Sequence, residues 1–259
     1  MADPTSSTDR PVVLLTGAAG GIGAAVARAV ARDGRTVLLA DVDRDGLDRT
    51  ADQLRPGRVE TVELDLLDPP AIRAAVDDAE SRIGPIEAVV HAAGVLYADP
   101  ITELEPKRFE HMMGVHVIGL LHLIQAVSPA MIERSRGSIL TIASNAARIP
   151  RLQIGAYGAT KAAATMLTRS AGLELAGHGI RCNVVQPGST RTPMLDASLG
   201  AGQGHEDVIA GDATAFRSGI PLGRVAEPDD IAATVRFLLG DGARHITMQE
   251  IVVDGGATL

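Results

Sequence analysis

The sequence predicts an α/β fold, a single domain built on a doubly wound parallel sheet of about seven strands. Three observations lead there. Short β-branched runs alternate with long Ala-rich segments of helical spacing. Most of those runs are apolar throughout, as in strands covered on both faces. The composition is 46% hydrophobic with 2% aromatics, no Trp and 28 Gly, so the core must use Ala, Val, Leu and Ile with close helix-to-sheet packing. The strand candidates, in order, are Val12–Thr16, Thr36–Ala40, Val59–Leu64, Ala88–His91, Ser138–Ile142, Ile180–Gln186 and Glu250–Val253. A helical run, Ala24–Arg32, follows the first. Ligands in such folds sit at the carboxyl ends of the strands. Residues 1–10 read as a flexible tail and 11–259 as the domain. The stretch Gly188–Ser218, rich in Gly, Ser, Thr and Asp, is expected to be an irregular loop acting as a substrate lid.

A formal charge of −8 gives the chain as a whole no attraction for nucleic acid or an anionic membrane. The one cysteine, Cys182, cannot form an intramolecular disulfide and reads as a buried strand residue. No apolar run approaches the roughly 18 residues of a membrane span. The first ten residues carry no signal-like apolar segment. A cytoplasmic protein with no bound metal is expected.

Directly after the first strand comes TGAAGGIG, Thr16 to Gly23. Gly17, Gly21 and Gly23 allow a sharp turn and close backbone approach to a pyrophosphate. The following helix offers its unpaired N–H groups and positive dipole. Glycines at this spacing also serve plain tight turns, but the strand-to-helix setting is that of a dinucleotide site. Asp41, 18 residues past Gly23, can accept from the adenosine ribose hydroxyls and would repel a 2′-phosphate. No Lys or Arg lies at Ala18, Ala19, Gly20 or Val42, so NAD is favoured over NADP. Asp41 can equally be a cap or turn carboxylate. Asp65, after the third strand, is either an adenine contact or a turn residue.

Tyr157 and Lys161 are four apart in a helical segment and share a face. Ser144 follows the fifth strand, near the same sheet edge. A phenol near pKa 10 is a weak base at neutral pH. An adjacent ammonium and an oxidised nicotinamide would lower that value. Ser144 can steady charge on a substrate oxygen. Taken singly, the three could be a packing residue, a solvated charge and a turn residue.

Together with HAAG (His91–Gly94), YGATK (Tyr157–Lys161), RCNVVQPG (Arg181–Gly188) and VVDGG (Val252–Gly256), these pieces resemble the short-chain dehydrogenase/reductase family over about residues 10–259. The resemblance implies a Rossmann-type fold, with Tyr157 as catalytic acid/base and Lys161 holding the nicotinamide ribose and tuning Tyr157. It implies that Ser144 orients the substrate, and that Pro187, Gly188, Thr190 and Thr192 border the nicotinamide. Ile22, Leu66, Ala92, Ala93 and Gly94 would complete the cofactor walls. Two positions depart from the pattern. His91 replaces the usual Asn before AAG, and His116 replaces the Asn of a V-N-x-x-G run that supports a proton-relay water. Imidazole can also relay protons, so the role either survives at His116 or is lost.

Longer stretches, among them PRLQIGAYGATKAA and HITMQEIVVDGGATL, are similar to the 2,3-dihydro-2,3-dihydroxybenzoate dehydrogenases of catechol siderophore biosynthesis. The implied substrate is a small anionic ring, a cyclohexadiene carboxylate or its 2-amino analogue, 2,3-dihydro-3-hydroxyanthranilate. Arg148, Arg151 and Arg191 are the candidates for its carboxylate, because a guanidinium fork matches a carboxylate in bidentate geometry. Tyr157 would take the C3 hydroxyl proton while the C3 hydrogen passes to NAD as hydride. The dienone then tautomerises to a phenol. A 3-oxoacyl or steroid-type reductase and a non-catalytic dinucleotide sensor are the competing readings. The resemblance also implies a homotetramer paired through the Tyr157 helix and the carboxyl-terminal strand.

Overall fold

The computed structural model describes residues 11–200 and 202–258; the expected N-terminal tail lies outside the described residues. Seven strands form one parallel sheet: β1 Val12–Thr16, β2 Thr36–Asp41, β3 Val59–Glu63, β4 Ile86–His91, β5 Gly137–Ile142, β6 Ile180–Pro187 and β9 Glu250–Val253. The spatial order is β3-β2-β1-β4-β5-β6-β9. The chain reverses its direction of travel between β1 and β4, where α/β folds open a crevice at the carboxyl edge.

The all-apolar strands are explained by helices on both faces. Along β1, Val12 and Leu14 face one apolar cluster while Val13 and Leu15 face the other. The first cluster takes in α3 (Pro69–Asp78), α5 (Gly119–Arg134) and α6 (Gly155–Leu175). The second takes in α1 (Gly21–Ala31), α2 (Arg44–Leu54) and α9 (Pro228–Leu239). Each fully buried Leu or Val contributes roughly 1.5–3 kcal/mol of transfer free energy. Cys182 is buried in β6, and burial pushes its thiol up to about 12.

Three expectations need correction. Helix α1 starts at Gly21 rather than Ala24, so two of the motif glycines lie in its first turn. Pro106–Glu133 forms one continuous helix, α4 (Pro106–Met113) running through a π turn into α5. It is long and apolar enough to cross a membrane by length and composition. The run escaped notice because His116, His122, Gln125, Ser128 and Pro129 interrupt it. Here Leu120, Leu123, Val127 and Met131 are buried on the sheet. Residues 188–218 are not irregular throughout. They hold α7 (Pro193–Ser198), α8 (His205–Ala210) and a small hairpin of β7 (Gly211–Asp212) and β8 (Arg217–Ser218). Six-residue helices are too short to show periodicity. Thr192 caps α7 through Leu195 N–H, and Asp207 bonds back to Gly204 N–H at the start of α8.

Two motif glycines are required by close approach. Gly17 has φ +71°, and a Cβ there would lie 2.5 Å from the Ala93 nitrogen. A Cβ on Gly23 would collide with the Gly17 carbonyl oxygen. Replacing Gly23 with Ala is expected to destabilise the protein by about 2–3 kcal/mol. Gly177→Ala, with open space around its Cβ position, should change stability by less than about 0.5 kcal/mol. Thermal unfolding of the two variants checks the contrast.

Candidate active site

A cavity of about 730 Å³ runs along the carboxyl edge of the sheet, past the ends of β1, β2, β4, β5 and β6. One half is built by the glycine loop. Gly17, Gly20, Gly21, Ile22 and Gly23 line it, and a Cβ at Gly20 would meet nothing within 4 Å. Gly20 occupies the N-cap of α1 with no side chain to offer, and the first turn holds no acidic residue. The helix therefore keeps its amino-terminal N–H groups free of competing side-chain acceptors, the arrangement that suits a pyrophosphate. Asp41 ends β2 in the cavity wall. Its Oδ2 accepts from Ala19 N–H at 3.0 Å and its Oδ1 from Asp43 N–H at 3.1 Å, which pins the glycine loop to β2. Asp65 accepts from Leu67 N–H at 2.9 Å in a tight turn, and Asp65 and Leu66 both line the cavity. Ala92, Ala93 and Gly94 form the facing wall. A dinucleotide fits this half.

Ser144, Tyr157 and Lys161 meet in the other half. Ser144 leaves β5 and caps the next turn, its Oγ accepting from Ala146 N–H at 3.1 Å. Behind it, Asn145 Nδ2 donates to Asp254 Oδ2 at 3.1 Å, and Thr258 Oγ1 donates to the same oxygen. The terminal VVDGG thus braces the Ser144 turn. It also packs on Gly188, where a Cβ would lie 2.5 Å from that of Asp254. Pro187, Gly188, Thr190 and Thr192 line the cavity above. Lys161 is 3% exposed, with Nζ donating to the Ile142 carbonyl at 3.1 Å and standing 5.7 Å from the Tyr157 ring centroid. Burial lowers its pKa to about 8.

The comparisons with known proteins agree with this geometry. The family model described as Enoyl-(Acyl carrier protein) reductase matches residues 17–258. A vibriobactin-specific 2,3-dihydro-2,3-dihydroxybenzoate dehydrogenase of Vibrio cholerae is 43% identical over 95% of both chains. The 2,3-dihydro-2,3-dihydroxybenzoate dehydrogenase of Bacillus subtilis is 42% identical over 96% of both. Among solved structures, a 3-ketoacyl-(acyl-carrier-protein) reductase from Brucella melitensis complexed with NADH superposes with TM-score 0.87 at 29% identity, covering 98% of this chain and 100% of that one. The chain belongs to the short-chain dehydrogenase/reductase family. It is an oxidoreductase that uses a nicotinamide cofactor.

Two features distinguish this short-chain dehydrogenase/reductase from the sequence expectation. The Tyr157 phenol is not acidified by the protein. Burial pushes it up to about 12, with interaction at Ser144 only partly opposing. His116 is held by hydrogen bonds on both sides of its ring. It is fully buried in the π turn Gly114–Ile118, and its ring stands edge-on to Tyr157 at 5.6 Å. Val95 N–H donates to Nε2 at 3.0 Å. That assignment puts the proton on Nδ1, which donates to Thr160 Oγ1 at 2.8 Å. Thr160 in turn donates to the Tyr157 carbonyl at 2.8 Å. Both ring nitrogens are committed, so His116 ties the Val95 loop to the helix carrying Tyr157. His91 pairs through Nδ1 with Thr16 Oγ1 at 3.0 Å, joining β1 to β4, and its Nε2 is buried without a hydrogen-bond partner.

The arginines divide. Arg151 is half-buried in the cavity wall. Arg148 is exposed and outside the lining, and Arg191 is exposed and bonded to Glu227 at 2.9 Å. Arg217, on β8, lines the cavity and was missed by sequence reading, because nothing local marks a basic residue in a polar loop as facing a site 66 residues away from Arg151.

Burial and the Lys161 charge keep both histidines neutral, His91 down to about 3 and His116 lower still. Below pH 6.5 the unfolded chain takes up their protons while the folded chain does not, so stability falls as pH falls through that window. The slope approaches about 2.7 kcal/mol per pH unit for the pair. Denaturant titrations between pH 7 and 5 are expected to show this loss, and His116→Asn is expected to remove about half of it.

Proposed function

We propose that the chain oxidises 2,3-dihydro-2,3-dihydroxybenzoate to the aromatic acid with NAD. The observation that carries this is the Arg151 guanidinium, set in the wall of the same cavity as Ser144 and Tyr157. The relatives from Vibrio cholerae, Bacillus subtilis and Escherichia coli, at 39–43% identity, bear the name of that reaction and support the substrate. A role in siderophore or secondary-metabolite biosynthesis and a cytoplasmic location belong to the same reading. So does a homotetramer, for which exposed Met166 and Leu173 on α6 offer an apolar face. Residues 188–218 would serve as the lid. Thr192, at the start of α7, stands close to Gly21 across the cavity mouth.

The glycine loop and the amino end of α1 would hold the pyrophosphate, Asp41 the adenosine ribose, and Lys161 the nicotinamide ribose. Bound NAD supplies a hydride acceptor and the positive charge that the phenol lacks in the protein alone. Tyr157 Oη takes the proton of the ring C3 hydroxyl. Ser144 Oγ donates to the same substrate oxygen and holds it while the C–O bond gains double-bond character. The C2 hydrogen then shifts to oxygen, and aromaticity makes the step irreversible in practice. Reduction of a long neutral acyl chain fits less well, because it leaves the Arg151 charge in the wall unmatched.

Tyr157→Phe is expected to lower kcat about 10²–10⁴-fold while leaving the NAD dissociation constant within a factor of about three. NADH absorbance with the dihydro acid, and separately with its 2-amino analogue, reads the activity; turnover of neither acid by the unaltered enzyme defeats the proposal. Asp41→Ala should narrow the preference for NAD over NADP by roughly tenfold or more, since it removes a carboxylate facing the 2′-position. The ratio of the two kcat/KM values measures it.

A further inference from the structure

Arg151 and Arg217 reach the cavity from opposite parts of the chain. Arg151 precedes α6 in the body of the fold, and Arg217 sits on β8, the last strand of the 188–218 segment. Neither makes an ion pair among the described residues. Other guanidiniums of this protein do find carboxylates, as in Arg134 with Glu80, Arg224 with Asp230 and Arg236 with Asp33. The Nε of Arg151 is buried without a hydrogen-bond partner. Both side chains line the same cavity, and the charge of Arg217 adds to burial in lowering Arg151.

The carboxylates whose charges act on these guanidiniums also hold other donors. Asp254, which acts on Arg151, accepts from Asn145, Thr258 and Gly256 N–H. Asp212, across the hairpin from Arg217, accepts from Thr214 and Ala215. Arg217 also borders a smaller crevice of about 250 Å³ under the hairpin, so its side chain forms part of the wall between the two spaces. Two unpaired guanidiniums facing one half-buried space repel each other unless an anion lies between them.

We propose that Arg217 is a substrate-binding residue that completes, with Arg151, a two-armed clamp for the carboxylate of a small cyclic acid. The proposal rests on the functional reading above for the identity of that acid. One arm belongs to the fixed fold and the other to the segment over the cavity. Carboxylate binding therefore also holds the β7–β8 hairpin against the body, with the ring between Ser144, Tyr157 and the clamp. A guanidinium fork suits this task better than an ammonium, because it offers two parallel N–H donors to two oxygens.

The test uses the intact enzyme with NAD, comparing Arg217→Gln and Arg217→Lys with the unaltered chain. Steady-state turnover of the dihydro acid is measured beside that of the same cyclohexadiene diol lacking the carboxylate. Calorimetric binding of 2,3-dihydroxybenzoate to the enzyme is measured in parallel, with NAD affinity as the check on folding. Arg217→Gln should raise KM for the acid, and weaken binding of the aromatic acid, roughly ten- to hundredfold. The carboxylate-free diol and NAD should be unaffected, and Arg217→Lys should recover part of the loss. If the unaltered enzyme oxidises the acid and Arg217→Gln does so with the same KM, the clamp is overturned and the function stands. If the acid is not oxidised but Arg217→Gln still weakens binding of 2,3-dihydroxybenzoate, the clamp stands and the proposed reaction falls. An equal loss with and without the carboxylate, or no binding of the aromatic acid at all, overturns the clamp.

Discussion

Lys161 brings an ammonium to a place that is 3% open to solvent, at the end of β5, and holds it there through the Ile142 carbonyl. Several groups of the surrounding site stand next to that charge. It adds to burial in keeping His91 and His116 neutral. A neutral His116 can accept from one side and donate from the other, which an imidazolium cannot. Through that pair of bonds the Val95 loop, Thr160 and the backbone of Tyr157 are held in one arrangement. The same ammonium stands beside the Tyr157 ring. The phenol, the loop after β4 and the π turn are therefore gathered around one buried ammonium.

The cavity has opposite character at its two ends. Asp41 and Asp65 border the glycine-loop half, while Lys161, Arg151 and Arg217 border the other. Such polarity favours a cofactor whose ribose hydroxyls meet a carboxylate and a substrate that carries a negative charge. The protein leaves the Tyr157 phenol above its ordinary value.

His116 shows how a substitution can keep geometry while changing chemistry. The π turn around it, Gly114–Ile118, interrupts a long helix at the site, and such turns frequently mark functional positions. The imidazole fills the space between the Val95 loop and α6. With both nitrogens engaged it ties the Val95 loop to α6.

The seven parallel strands were legible because strands covered on both faces must be apolar throughout. The dinucleotide half was legible because Gly17 and Gly23 are dictated by local close approach. Ser144, Tyr157 and Lys161 could be read from spacing, since one helical turn and one strand end bring them to the same edge. What the sequence could not decide depended on distant partners. The partners of His116 are Val95 and Thr160, Arg191 pairs with Glu227, and Arg217 reaches the cavity wall from a hairpin. The short helices of residues 188–218 rest on single caps that leave no periodic trace. Local backbone requirements and periodic burial are written along the chain. The protonation state and orientation of a buried polar group are set by whichever neighbours the fold brings within 3 Å, and only the tertiary structure supplies those.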